Sequence, residues 1–201
     1  MIFKIFQKGS GENSKEWGRS RIDLIPKKLP NESYCDEHFK MSLIKKYGFS
    51  GAKFLEAGCG DGTMVMLASK FLKYNSYGLD FSENLIQTLN EKYKTNNFIV
   101  GNIIKLNNFE NNELDLMTSF GVIEHLENGP NKAIEEMHRV IRKGGYLIIS
   151  VPIISPFLIF NALRRNLLFF LGYKIKHKNQ ISQVVPKFSE TFKDYLPFAQ
   201  Y

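Results

Sequence analysis

Between residues 53 and 152, short apolar runs alternate with stretches whose apolar positions recur every three or four residues. Compact apolar runs bounded by turn residues read as buried strands, and the longer recurrence reads as amphipathic helix. The pattern predicts strands over 53–58, 76–81, 98–101, 114–120 and 145–151, and helices over 62–73, 83–94 and 130–142. Ser82 is placed to cap the second of these helices, and Gly144-Gly145 to break the chain before the last strand. Strands that are apolar throughout and separated by helices imply an α/β fold, a parallel sheet covered on both faces. Upstream, Ser33 followed by Phe39, Leu43 and Tyr47 at four-residue spacing predicts an amphipathic helix over 33–47.

Three regions follow from this pattern: an irregular arm over 1–32, with Gly and Pro among charges, a folded core over 33–152, and a closing region over 153–201. The stretch 153–173 is strongly apolar, but Arg164, Arg165 and Asn166 interrupt it, which argues against a membrane span. It reads first as a lid over a pocket, then as a helix on the core, then as an interfacial helix giving peripheral membrane contact. The tail beyond it is basic and aromatic without a clear period.

Charge and composition narrow this only a little. With 201 residues and 43% hydrophobic content, the chain carries enough apolar surface for one α/β core. The net charge of +7 divides into +4 over residues 1–30, −2 over 31–163 and +5 over 164–201. The basic excess therefore lies outside the predicted core, where solvated ends outweigh a nucleic-acid or membrane partner as the explanation. Two cysteines, Cys35 and Cys59, make neither a disulfide framework nor a zinc site. Lys4, Gln7 and Lys8 interrupt the opening apolar residues, so no signal peptide is expected and the default setting is cytoplasmic.

The candidate chemistry gathers at the ends of the predicted strands. Phe54-Leu55-Glu56 leads into Gly58, Gly60 and Gly62 and then into a helix. Alternating glycines let the backbone turn tightly and lie against a ligand, and a helix starting there directs free N–H groups at it. A dinucleotide fingerprint needs a third glycine where Thr63 stands. The carboxylate of Glu56 also opposes a pyrophosphate and favours a cationic amine or sulfonium. Asp80, ending the second strand 22 positions after Gly58, is suited to accept hydrogen bonds from two ribose hydroxyls. Phe81 follows it and is suited to pack on an adenine face.

With these residues in view, the chain resembles the class I S-adenosylmethionine-dependent methyltransferases, in particular the small-molecule group similar to the ubiquinone-biosynthesis enzymes. The matching blocks are LEAGCGDG (55–62), YGLDFS (77–82), VGNIIKL (100–106), LDLMTSFGVIEHL (114–126) and EEMHRVIRKGGYLIISVP (135–152), in the family's order. The resemblance implies a Rossmann-like sheet with visible strand order 3-2-1-4-5, and with strands six and seven of the family's sheet missing. It also implies an exposed edge on the fifth strand.

For the cofactor S-adenosylmethionine, the resemblance implies that Glu56 and the backbone of Gly58 engage the methionine part, with Gly60 giving clearance beneath it. Asp80 would bind the ribose hydroxyls and Phe81 would lie beside the adenine. Asn102 and Ile103 would meet the adenine edge, and Phe120 the methionine amino group. Asn102 departs from the family's usual Asp, keeping an acceptor oxygen but losing the charge. His125 is the candidate catalytic base, set against a role in orienting the loop after strand four. No metal site is expected.

Three functions follow, in order: methyl transfer to a small-molecule acceptor at oxygen, nitrogen or carbon, a non-catalytic module derived from such an enzyme, and nucleic-acid methylation. The last is disfavoured because Ser119-Phe120-Gly121-Val122 stands where base amino methylation uses an Asn/Asp-Pro-Pro-aromatic tetrad. Neither the acceptor nor the oligomeric state is legible.

Overall fold

The computed structural model describes residues 21–151. The expectations for 153–173 and for the basic tail lie outside the described residues, as does most of the 1–32 arm. The elements run α1 (Tyr34–Glu37), α2 (Phe39–Tyr47), β1 (Lys53–Ala57), α3 (Thr63–Leu72), β2 (Asn75–Asp80), α4 (Glu83–Tyr93), β3 (Phe98–Val100), β4 (Leu114–Phe120), a 3₁₀ turn (Ile123–His125), α5 (Asn131–Val140) and β5 (Ile141–Ser150). The five strands form one parallel sheet in the order β3-β2-β1-β4-β5. This is the Rossmann-like arrangement that the alternation and the resemblance imply. Among the described residues no helix is long and apolar enough to cross a membrane.

Strand alternation divides the core between the two faces of the sheet. Leu55, Ala57, Leu79 and Met117 point to one face, where Met137 and Val140 of α5 and the segment from Ile103 to Phe109 bury them. Phe54 and Leu116 point to the other, under Met41 and Ile44 of α2 and Leu67 and Ala68 of α3. On that second face α4 adds Leu85, Ile86 and Leu89 against Phe98 of β3. Each of the Leu, Ile, Val, Met and Phe side chains among these contributes about 1.5–3 kcal/mol by leaving water, so both faces must be covered for the sheet to be stable.

Three local details depart from the sequence reading. The expected helix over 33–47 is broken at His38, which is extended (φ −85°, ψ 119°) between α1 and α2. The break changes the phase of the stripe: Cys35, Met41 and Ile44 are buried, while Phe39 is 74% exposed. Ser82 does stand at the N-cap of α4, but its side chain makes no capping bond, and Asp80 Oδ1 accepts its N–H instead (3.1 Å). β5 begins at Ile141, before the glycine pair rather than after it. Ile141 pairs with Leu114, the register then shifts, and Gly144 (φ +75°) lies in the resulting irregularity. The glycines mark a bulge inside a longer strand. Among the described residues β5 pairs only with β4 and forms one edge of the sheet.

Candidate functional site

The carboxyl ends of β1 and β2 meet under the glycine turn. The N–H groups of Gly58 and Cys59 both donate to the Leu79 carbonyl, at 2.7 and 3.0 Å, which pins the turn to the tip of β2. Gly58, Gly60 and Gly62 all take positive φ (+80°, +50° and +73°), a region that side chains with a Cβ disfavour. They differ in what surrounds them. A Cβ on Gly58 would fall on Val122, and one on Gly62 would meet Phe98 at 2.8 Å. A Cβ on Gly60 would meet nothing within 4 Å. Two glycines therefore serve packing, and the third leaves open space on the turn. Asp61 Oδ1 accepts the Thr63 N–H (3.0 Å) at the first turn of α3.

Register places the two acids together. Glu56 pairs with Gly78, and Asp80 lies two residues further along β2, so both carboxylates point to the same face of the sheet. Glu56 is 5% exposed and its Oε2 has no hydrogen-bond partner. Burial, followed by the negative charge of Asp61, pushes its carboxyl up to about 8, with Asp80 adding to the rise and Lys40 opposing it. The carboxyl is thus poised for a cationic hydrogen-bond donor that would supply the missing partner and restore its charge.

Asp80 is 3% exposed, and burial raises its carboxyl too. Backbone N–H groups and the charge of Arg21 oppose that rise. Its Oδ2 accepts the Gly60 N–H at 3.3 Å and its Oδ1 the Ser82 N–H. The Phe81 N–H also acts on this carboxylate, whose two oxygens offer about four acceptor positions, so capacity remains for a ribose hydroxyl. Burial and the charges of Asp80 and Glu56 also push the Cys59 thiol well above its ordinary range, so it fills space and is not a nucleophile.

The other sequence candidates lie at neighbouring strand ends. Phe81 is 39% exposed beside Asp80. Phe120, at the tip of β4, is half-buried and carries the Lys40 ammonium 4.9 Å from its ring centroid. Asn102 is exposed, and its Oδ1 accepts the Ile104 N–H (3.1 Å), so its side chain holds the turn that follows β3. Ile103 is 5% exposed and its side chain belongs to the core cluster with Leu79 and Leu106. His125 is exposed on the 3₁₀ turn after β4, while the neighbouring Glu124 is buried.

Three participants carried no local signal in the sequence. Thr118 pairs with Glu56 across β1 and β4, and its buried Oγ1 has no hydrogen-bond partner. Lys40 reaches the site from α2, well upstream of the glycine turn, and Arg21 acts on Asp80 from further upstream still. Ile22 and Ile25 pack against the cluster that contains Cys59 and Phe98, so residues 21–25 flank the β2 side of the site.

These features fit a ligand that is cationic at one end and bears a vicinal diol and a flat ring at the other. The comparisons agree. The family described as a methyltransferase domain matches residues 55–149. The demethylmenaquinone methyltransferase of Staphylococcus haemolyticus is 35% identical over 106 residues, covering 49% of this chain and 42% of that protein. The tRNA (carboxymethyluridine(34)-5-O)-methyltransferase of Arabidopsis thaliana is 34% identical over 108 residues, covering 51% of this chain and 24% of that protein. The chain thus spans less than half the length of these relatives. A chain of the complex between the Haloferax volcanii Trm112 methyltransferase activator and its methyltransferase superposes with a TM-score of 0.57 at 15% identity, over 94% of this chain and 93% of that one, which shows the shared fold. Fold, glycine turn and sequence match together make the core of this chain similar to the class I S-adenosylmethionine-dependent methyltransferases, whose cofactor is S-adenosylmethionine.

Proposed function

We propose that this chain binds S-adenosylmethionine at the β1–β2 tips and transfers its methyl group to a small-molecule acceptor. The observation that carries the reading is the pair of buried carboxylates on one sheet face, with open space beside Gly60 and an unpartnered oxygen on Glu56. Glu56 would hold the amino group, Asp80 the ribose hydroxyls and Phe81 one side of the adenine. The cofactor supplies an electrophilic methyl on a cationic sulfur. Phe120 and the turn carrying His125 would border the space where the acceptor's nucleophile approaches in line. His125 would take the acceptor's proton where the nucleophile is oxygen or nitrogen. Holding the two reactants in line supplies much of the acceleration by itself.

A small acceptor is favoured by the relative named for demethylmenaquinone and by Ser119-Phe120-Gly121-Val122 after β4. The tRNA-modifying relative keeps RNA as the second reading. Incubation with S-adenosylmethionine and separate panels of phenolic and quinol acceptors and of bulk tRNA distinguishes them. Formation of S-adenosylhomocysteine with a small acceptor is the expected result. Formation with tRNA alone overturns the acceptor class. Tight binding without turnover on either panel favours the non-catalytic reading.

A further inference from the structure

The turn between α2 and β1 is built tightly around an exposed aromatic ring. Gly48 lies against the Tyr74 ring, where a Cβ would come within 2.4 Å of the phenol oxygen. The Tyr74 hydroxyl donates to the Ile44 carbonyl (3.2 Å), which ties the end of α2 to the end of α3. The Ala52 N–H closes the turn onto the Phe49 carbonyl (2.9 Å), and the Gly51 N–H donates to the Lys73 carbonyl (2.8 Å). The fixed turn buries Ala52 and leaves Phe49 52% exposed. A single exposed ring is ordinary on a protein surface, but this one is ringed by cations. Lys46 stands in the last turn of α2, Lys70 in the last turn of α3, and Lys73 just beyond it, all exposed. The Lys46 and Lys70 ammonium groups lie 5.2 and 4.9 Å from the ring centroids of Tyr47 and Phe71. Lys45 is neutralised by Asp36, whereas among the described residues Lys46, Lys70 and Lys73 pair with no carboxylate.

We propose that this face docks on an anionic lipid bilayer, with Phe49 entering the headgroup layer and Lys46, Lys70 and Lys73 meeting lipid phosphates. An apolar tip among cations that rest on aromatic rings suits the membrane interface, where apolar surface and anionic charge lie side by side. The three unpaired cations are all lysines, so the face lacks the guanidinium fork that reads phosphate and base edges. Its exposed Phe49 also stands apart from any series of rings on which successive bases could stack. Both features favour a bilayer over a nucleic acid. Lys53 and Asn75 are register partners, so the patch lies at the amino ends of β1 and β2, opposite the glycine turn. The proposal therefore stands apart from the cofactor reading, and it uses a different part of the chain from residues 153–173.

The test is co-sedimentation with vesicles of mixed phosphatidylglycerol and phosphatidylcholine, and of phosphatidylcholine alone. The proteins are the intact chain, Phe49→Ser, Phe49→Trp and the triple variant Lys46→Gln, Lys70→Gln, Lys73→Gln, with thermal unfolding as the check that each is folded. The intact chain is expected to bind the anionic vesicles at least about tenfold more tightly than the neutral ones. Phe49→Ser should weaken that binding roughly tenfold, and the triple variant roughly a hundredfold, at about fivefold per charge. Phe49→Trp should keep the affinity and gain a blue shift in emission on anionic vesicles that the intact chain does not show. Failure of the intact chain to bind anionic vesicles overturns the proposal. Binding that none of the variants alters overturns it too, and assigns the contact to another part of the chain. Loss in the lysine variant with Phe49→Ser unchanged and no blue shift means electrostatic adhesion without docking. Binding of bulk tRNA that the lysine variant loses, without vesicle binding by the intact chain, makes the face a nucleic-acid surface, and both of these results overturn the proposal.

Discussion

Glu56 shows how one residue sets a function against stability. An isolated carboxyl ionises near pH 4.5, whereas burial and neighbouring acids hold this one up to about 8. The folded chain therefore binds a proton here that the unfolded chain has released across that interval. Stability from this group is full below the unfolded value and is lost as pH rises through the folded one, at about 1.4 kcal/mol per pH unit. Asp80, also raised, acts in the same direction. In the ligand-free protein this group is expected to lower the denaturant midpoint between about pH 4.5 and pH 8, and Glu56→Gln should flatten that fall. The same variant should bind S-adenosylmethionine at least about tenfold more weakly, because a neutral amide replaces the partner of a cation. Equal pH slopes for the two proteins would show that Glu56 is not held protonated.

Among the elements, the glycine turn is where sequence and structure coincide most closely. Its three positive-φ positions were legible because only glycine takes that backbone conformation without cost. Their division of labour was not, because it depends on Val122 and Phe98, which arrive from distant strands and loops. That division gives an experiment. Gly62→Ala should lower stability markedly, since its Cβ meets Phe98 at 2.8 Å and Leu89 at 3.1 Å in addition to the φ cost. Gly60→Ala should cost only about 1–2 kcal/mol of backbone strain yet weaken cofactor binding strongly, because its Cβ enters the space left for the ligand. Thermal unfolding and titration calorimetry on both variants check the contrast, and retention of full affinity by Gly60→Ala would remove the cradle from the account.

The strands were legible for the same local reason as the turn, since continuous apolar runs mark a sheet buried on both faces. The helix over 33–47 was not, because Phe39, Leu43 and Tyr47 satisfy the helical spacing while the break at His38 turns Met41 and Ile44 inward. No residue in that stretch announces the break: His38 neither fixes φ as Pro would nor frees it as Gly would. Lys40 and Thr118 were invisible as site residues because their meaning comes from register and from a tertiary crossing, not from their neighbours in sequence.

At the scale of the whole molecule, the sheet order carries the argument from acids to function. The chain passes from β1 through α3 to β2 and returns through β3 to β4 on the far side of β1. That reversal leaves a crevice at the carboxyl ends of β1 and β4, the position where open α/β sheets take their ligands. Glu56 and Phe120 lie at these strand ends on one sheet face, the Lys40 ammonium rests over the Phe120 ring, and Asp80 lies at the tip of β2 on the same face. The described core supplies the cofactor half of the proposed reaction. The identity of the acceptor is a question for the turnover panels.

The most direct test of the central claim is titration calorimetry of the folded chain with S-adenosylmethionine, alongside Asp80→Ala. The account predicts saturable binding to a single site and a loss of about 1.5–3 kcal/mol in the variant, the worth of hydrogen bonds to a charged acceptor. Absence of heat at millimolar ligand in a folded sample, or equal affinity for both proteins, would contradict it.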